Sequence, residues 1–300
     1  MIDRLPELST EQSDPRYSQI DRLPTSEIAQ LMNQADATVP AAVGAALPAI
    51  TTAIDAIATR MQAGGRLLYV GAGTSGRLAV LDASECPPTF GTDPSLVQGV
   101  IAGGRPALTR SVEGAEDDFP AGQRALADLD VGRLDSVVGI SASGTAPFVL
   151  GALAEAGRRD ALTVALSCNH QTPLSAAAEH AIEVVVGPEV VTGSTRLKAG
   201  TAQKLVLNMI STISMIKLGR TYGNKMIEMS AMNTKLAGRA ARMVSDITGA
   251  DPEKARKALD AAGGQAKIAV VMIEHGVDAD EAQALLESHG SRLEEVRHAR

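Results

Sequence analysis

Five short apolar runs, each bounded by turn-forming residues, constrain this chain more than any other feature. They read "RLLYV" (66–70), "LVQGVIA" (96–102), "SVVGI" (136–140), "LTVALS" (162–167) and "AIEVVV" (181–186). Helical spacing fills most of the intervals, at 76–84, about 119–128 and 147–157. Strands that alternate with helices build βαβ units, which place the strands side by side and parallel. The predicted fold is therefore α/β, a five-stranded parallel sheet sandwiched by helices. Hydrophobic residues make up 45 % of the chain but aromatic ones only 2 %. The core is thus aliphatic, as suits a sheet buried on both faces.

The flanking regions read differently. Residues 1–25 are expected to be extended or irregular, broken by Pro6, Pro15 and Pro24. Ser26 can cap a helix that opens with Glu27 and Ile28. A longer helix follows over 40–65, which Pro48 kinks or divides. Residues 199–245 turn strongly helical, and their methionines at 209, 215, 226, 229 and 232 read as adaptable packing. Near "TGADPEK", Asp251 and Pro252 open a small C-terminal three-helix bundle at 252–262, 265–275 and 279–288. The expected domains are 1–245, with a sheet core at about 55–218, and 246–300.

Charge and composition narrow the function classes. The net charge of −7 and the absence of a basic block argue against nucleic acid as the main partner. No apolar run reaches membrane-spanning length, and "MIDRLPELSTEQSDPRYSQIDRL" lacks the apolar core of a signal peptide. A cytoplasmic protein is the expectation. Cys86 and Cys168 are the only cysteines, and neither they nor the histidines at 170, 180, 275, 289 and 298 show metal-ligand spacing. No metal is expected.

The chemistry concentrates where strands end, which is where open parallel sheets bind ligands. "GAGTSGR" (71–77) follows the first run, and its Gly71, Gly73 and Gly76 satisfy GxGxxG. Glycines admit backbone N–H groups to an anion, while Thr74 and Ser75 add hydroxyls. A dinucleotide site also wants an acid at the end of the second strand, but "VIAGGRPA" has none, and only Arg105 could suit a 2′-phosphate. A P-loop fails at Arg77 and Leu78. "ISASGTAP" (140–147) repeats the design with Ser141, Ser143 and Thr145, and "VVTGSTRLKAGTAQK" (190–204) adds Thr192, Ser194, Thr195, Arg196, Lys198 and Thr201. Together the three loops suggest a monophosphate held by neutral donors. Ordinary strand-to-helix capping explains any one of them equally well.

Two acidic stretches supply proton carriers. "DASECPPTFG" places Asp82 and Glu85 at the end of the first helix of the α/β region, before Pro87 and Pro88. An acid there opposes the helix dipole, which invites a functional explanation. "SVEGAEDDFP" carries Glu113, Glu116, Asp117 and Asp118, which could simply begin a helix. In an enzyme, two carboxylates in different environments can serve as acid and base.

"GAGTSGRLAVLDASECPPTFG", "SVEGAEDD" and "GPEVVTGSTRLKAGTAQKLVLNMIST" closely resemble the N-acetylmuramic acid 6-phosphate etherases of the sugar isomerase (SIS) superfamily. The resemblance spans nearly the whole chain. It also reaches the glucokinase regulatory proteins, which share the sugar-phosphate domain but are much longer.

The resemblance implies a SIS fold, a homodimer, and a lyase that uses no cofactor. Its substrate would be N-acetylmuramic acid 6-phosphate, cut at the D-lactyl ether to N-acetylglucosamine 6-phosphate and D-lactate. By the same resemblance Glu85 is the proton donor and Glu116 the second acid/base group, with Glu113 a nearby control. The phosphate is expected among Thr74, Ser75, Ser141, Ser143 and Thr145, with Ser194, Thr195 and Lys198 as further candidates. The chain departs from the family where many relatives read SxSGxTP. In "SASGTAP" Thr145 stands one position early and Ala146 replaces Thr. A sugar-phosphate sensor without turnover, an NADP-dependent oxidoreductase and an aldose–ketose isomerase are the rival expectations.

Overall fold

A computed structural model describes residues 8–228 and 234–298. Met229 and Met232 lie outside the described residues. Two compact units emerge, and neither is continuous in sequence. The first comprises Met1–Ser84 and Ser95–Ser214, the second Glu85–Pro94 and Met215–Arg300.

Short 3-10 turns at Pro15–Tyr17 and Ile20–Arg22 open the first unit, so the arm expected to be irregular is partly helical. Helices α1 (Thr25–Asp36), α2 (Val39–Ala45) and α3 (Leu47–Gln62) follow. Pro24, not Ser26, stands at the α1 N-cap, and Ser26 falls inside the first turn. The chain bends by 60° between α2 and α3, where Pro48 occupies the first turn of α3. Proline suits that position because its missing N–H would have no helical partner there. No single helix among the described residues is long and apolar enough to cross a membrane.

The α/β region then runs β1 (Leu67–Gly71), α4 (Gly73–Phe90), β2 (Val97–Ile101), α5 (Phe119–Ala127), β3 (Ser136–Ile140), α6 (Pro147–Arg158), β4 (Leu162–Ser167), α7 (Pro173–Ala176), β5 (His180–Glu183) and α8 (Lys198–Lys217). The strands order as β2-β1-β3-β4-β5, and every pair is parallel. The sheet is the one expected. Its inner strands β1, β3 and β4 are buried throughout, which explains their continuous apolar runs. Leu68, Val70, Val137, Phe148, Val149, Leu153 and Leu174 form one core layer.

Strand order reverses between β1 and β3: the chain leaves β1 for β2 on one side and resumes with β3 on the other. Gly71 and Ile140 pair at the carboxyl ends of these two strands. The loops after them therefore emerge side by side at the switch point, where open α/β sheets bind ligands. At the opposite end, Arg66 and Asp135 lock the two strands together. Asp135 accepts from Arg66 Nη2 at 2.7 Å, from the Arg66 amide at 2.9 Å and from the Gly132 amide at 3.0 Å.

Two glycine contacts set the site's scaffold. A Cβ on Gly71 would lie 2.7 Å from the Gly76 nitrogen, and one on Gly76 would lie 2.7 Å from the Gly71 oxygen. Close packing of β1 on the first turn of α4 thus requires the outer glycines of GxGxxG, whatever the ligand. A Cβ on Gly122 would overlap the Phe148 carbonyl, and one on Gly151 the Phe119 carbonyl. Backbone-to-backbone packing of α5 on α6 depends on both.

The second unit contains α9 (Thr234–Thr248), α10 (Pro252–Ala261), α11 (Ala266–His275), α12 (Ala279–Ser288) and α13 (Leu293–His298). The three expected helices are α10 to α12, and α9 and α13 join them. Ile227, Val244, Leu259, Val270, Leu286 and Val296 pack in its core. Asp251 and Asp278 cap α10 and α12, accepting from Lys254 N and Glu281 N at 2.9 Å. Buried Lys267 donates to Glu228 Oε1 at 2.6 Å and to the Gly219 carbonyl at 3.2 Å.

Candidate active site

A cavity of about 250 Å³ opens at the β1/β3 switch point. Thr74 and Ser75 from the start of α4, Ser141 and Ser143 after β3, and Thr195 before α8 face it together with Glu116 and Glu11. Five of the predicted phosphate-binding hydroxyls thus meet in one cavity with one predicted catalytic carboxylate. The described lining contains no lysine or arginine. Any anion there would be held by hydroxyls, backbone N–H groups and the positive ends of helices.

The second loop is a hydroxyl relay. Ser141 Oγ lies 3.2 Å from Ser143 Oγ, which lies 2.8 Å from Thr145 Oγ1. The Gly144 and Thr145 amides donate to Ser141 Oγ and Ser143 Oγ at 3.1 and 3.3 Å. Two links consume two of the three hydroxyl protons, so one proton remains at one end for a ligand. Thr145 reaches the cavity only through Ser143, whereas Ala146 lines it directly. In the first loop, Ser75 Oγ donates to Gln203 Oε1 on α8 at 2.9 Å.

Ser194 and Lys198 do not line the cavity. The Lys198 ammonium turns away and donates to the Val186 carbonyl at 2.6 Å beside a different pocket formed with Arg16, Tyr17 and α1. Burial pushes its pKa down, against the opposing pull of the Glu189 charge. Glu189 is itself fully buried and accepts from the Lys198 and Ala199 amides at 3.0 and 2.9 Å, capping α8. The Cys168 thiol is pushed up to about 12 by burial and by the Glu189 charge, so it stays protonated.

Glu116 sits on the turn before α5. Its backbone carbonyl accepts from the Phe148 amide at 2.9 Å, tying the turn to α6. As a residue it keeps substantial exposure, yet the packed surroundings of its carboxyl raise the pKa, and the neighbouring Asp117 charge raises it further. Such a shift moves a carboxyl toward the range useful for proton transfer. Glu85 lies on the same helix that begins with Thr74 and Ser75, but in the second compact unit, and it is exposed. The helix continues through Pro87 and Pro88 to Phe90, well beyond the expected end at 84.

Sequence reasoning missed Glu11. Only tertiary structure brings it to the cavity. Asn169 accepts from Ser9 Oγ at 2.8 Å and donates to Thr10 Oγ1 and the Ala142 carbonyl at 3.0 Å each, clamping the arm beside the second loop. Its local signal is a lone acid in a polar stretch.

The sheet order and the hydroxyl loops at the switch point define a SIS-type α/β domain. The family model described as the glucokinase regulatory protein N-terminal SIS domain matches residues 49–157. The N-acetylmuramic acid 6-phosphate etherase of Streptomyces avermitilis is 58 % identical over 95 % of this chain and 92 % of its own length. That of Rubrobacter xylanophilus is 56 % identical over 95 % of each chain. The chain belongs to the N-acetylmuramic acid 6-phosphate etherase family. Among solved structures, a phosphoheptose isomerase from Francisella tularensis matches with a TM-score of 0.49 and 19 % identity, over 66 % of this chain and 99 % of that one.

Proposed function

We propose that this chain is a carbon–oxygen lyase that cleaves the D-lactyl ether of N-acetylmuramic acid 6-phosphate. Water enters at C3, giving N-acetylglucosamine 6-phosphate and D-lactate. The reaction belongs to amino-sugar catabolism and the recycling of cell-wall material. The observation that carries this reading is one cavity holding neutral hydroxyl donors from two switch-point loops and a carboxyl of raised pKa, in a chain of this family.

The chemistry follows from the substrate. Opening the sugar to its aldehyde makes the C2 proton acidic enough for a carboxylate base. Loss of that proton drives elimination, in which the C3–O bond breaks and its electron pair leaves with lactate. An alkoxide is a poor leaving group, so a carboxylic acid must protonate the ether oxygen as the bond breaks. Water then adds to C3 of the unsaturated aldehyde, and C2 regains a proton. Glu116 is one acid/base group of this sequence. Glu85 is the proton donor to the leaving group in this reading, which rests on the likeness of "DASEC" to the family.

The 6-phosphate binds among Thr74, Ser75, Ser141 and Ser143, with Thr145 acting through Ser143 and Thr195 at the α8 side. The protein acts in the cytoplasm as a homodimer. Incubation with N-acetylmuramic acid 6-phosphate tests the activity: equimolar D-lactate supports it, and a folded protein that releases none refutes it. Lactate release also separates it from an aldose–ketose isomerase, which abstracts the same proton but liberates no acid.

A further inference from the structure

Ser75 donates its only hydroxyl proton to Gln203 Oε1 at 2.9 Å, away from the cavity it lines. In that state Ser75 offers the cavity only lone pairs. A phosphate dianion also offers only acceptors, so the two face each other as like poles. Gln203 is 1 % exposed, and its Nε2 has no hydrogen-bond partner among the described residues. A buried amide donor left unpaired is costlier than an unpaired carbonyl. One rotation removes both faults. The two ends of a carboxamide fill nearly the same space, so exchanging them keeps the packing. The Gln203 Nε2–H then donates to Ser75 Oγ, and the Ser75 proton turns into the cavity.

We propose that Gln203 is a positioning residue that makes Ser75 a donor to the substrate phosphate. The proposal rests on the phosphate reading of this cavity given above. The amide adopts the donating orientation when an anion enters, because only then does the outward Ser75 proton find a strong acceptor. A side chain at 203 must therefore have both a donor and an acceptor end. Glutamate would accept the Ser75 proton in every orientation and add negative charge beside the phosphate. Methionine would fill the volume and do neither.

The test compares wild type, Ser75→Ala, Gln203→Met, Gln203→Glu and the Ser75→Ala/Gln203→Met double variant of the full chain. KM and kcat for N-acetylmuramic acid 6-phosphate are read by lactate release, and competitive inhibition is measured with inorganic phosphate. Ser75→Ala should raise KM and the phosphate inhibition constant about tenfold, the scale of one hydrogen bond to a charged group, with kcat changed far less, and Gln203→Met, which leaves the Ser75 hydroxyl free to donate but unheld, should raise both by about two- to threefold. The double variant should match Ser75→Ala, because Gln203 acts only through the Ser75 hydroxyl. Gln203→Glu should bind phosphate more weakly than Gln203→Met. If Gln203→Met does not fold, Gln203→Asn, whose shorter amide cannot reach Ser75, carries the same expectation. Wild-type KM in the position-203 variants, or multiplying effects in the double variant, overturns the role of Gln203 while Ser75→Ala still weakens binding. An unchanged KM and phosphate inhibition in Ser75→Ala instead overturns the phosphate reading itself, and the proposal with it.

Discussion

The Phe148 amide donates to the backbone carbonyl of Glu116 at 2.9 Å, so the main chain of Glu116 holds the turn on α6 while its carboxyl faces the cavity. Structure and chemistry are thereby divided between two parts of one residue. Glu116→Gln should keep the anchor and lose the proton carrier. We expect kcat to fall by about 10²- to 10⁴-fold, the usual contribution of an acid/base group, with an unchanged melting temperature. Glu113→Gln, at an exposed position on the same turn, should stay within about twofold of wild type on that scale. Equal losses in the two variants would remove Glu116 from the chemistry.

Burial, and after it the Asp117 charge, holds the Glu116 carboxyl above its ordinary value. A like charge disfavours ionisation, so Asp117→Asn should let Glu116 ionise at lower pH. The limb of the kcat/KM profile that Glu116 governs should move to lower pH in this variant. It should still titrate above an ordinary glutamate, because burial is the larger cause. A limb that moves upward would contradict the sign.

Gly151→Ala tests whether the packing of α5 on α6 sets the site. The added methyl would overlap the Phe119 carbonyl. Overpacking of this kind costs about 1–3 kcal/mol. Pushing the helices apart also moves Phe148 and the turn it anchors. Both stability and kcat should drop, whereas Gly157→Ala, on the same helix and facing open space, should lower neither. The readouts are urea unfolding and lactate release per folded molecule.

Asp135 lies far from the cavity, at the other end of β1 and β3. Burial raises its pKa, but the Arg66 hydrogen bond and the amides of Gly132 and Arg66 outweigh that and leave it lowered. A depressed carboxyl pKa stabilises above the unfolded value and ceases to do so as pH falls through the folded one. Its contribution should therefore be complete above about pH 4 and disappear below. Asp135→Asn should cost about 1–2 kcal/mol at neutral pH, by leaving half-buried donors of Arg66 and Gly132 without their charged acceptor, and the difference from wild type should shrink in acid. Activity per folded molecule should not change.

The sheet was legible because burial leaves a simple signature. β3 and β4 are buried along their whole length and coincide with their runs at 136–140 and 162–167. β5 did not: its run was expected at 181–186, yet only His180–Glu183 joins the sheet. Val184 and Val186 beyond it are buried too, so their apolar character does not mark strand. The sequence pattern ends α4 at 84, because prolines ordinarily end helices. Here buried Cys86 and Phe90 hold the final turns in spite of Pro87 and Pro88. Thr74, Ser75, Ser141 and Ser143 could be read from strand–loop–helix motifs. Glu11 and Gln203 could not, because the arm brings Glu11 to the cavity and α8 brings Gln203 to Ser75 through contacts that span more than a hundred residues.

The most direct measurement is the reaction itself, run in ¹⁸O-labelled water with N-acetylmuramic acid 6-phosphate and mass analysis of both products. Equimolar unlabelled D-lactate and N-acetylglucosamine 6-phosphate carrying the solvent oxygen at C3 are expected, with turnover collapsing in Glu116→Gln. No lactate from the folded protein, or solvent oxygen in the ether-derived hydroxyl of lactate, would contradict it.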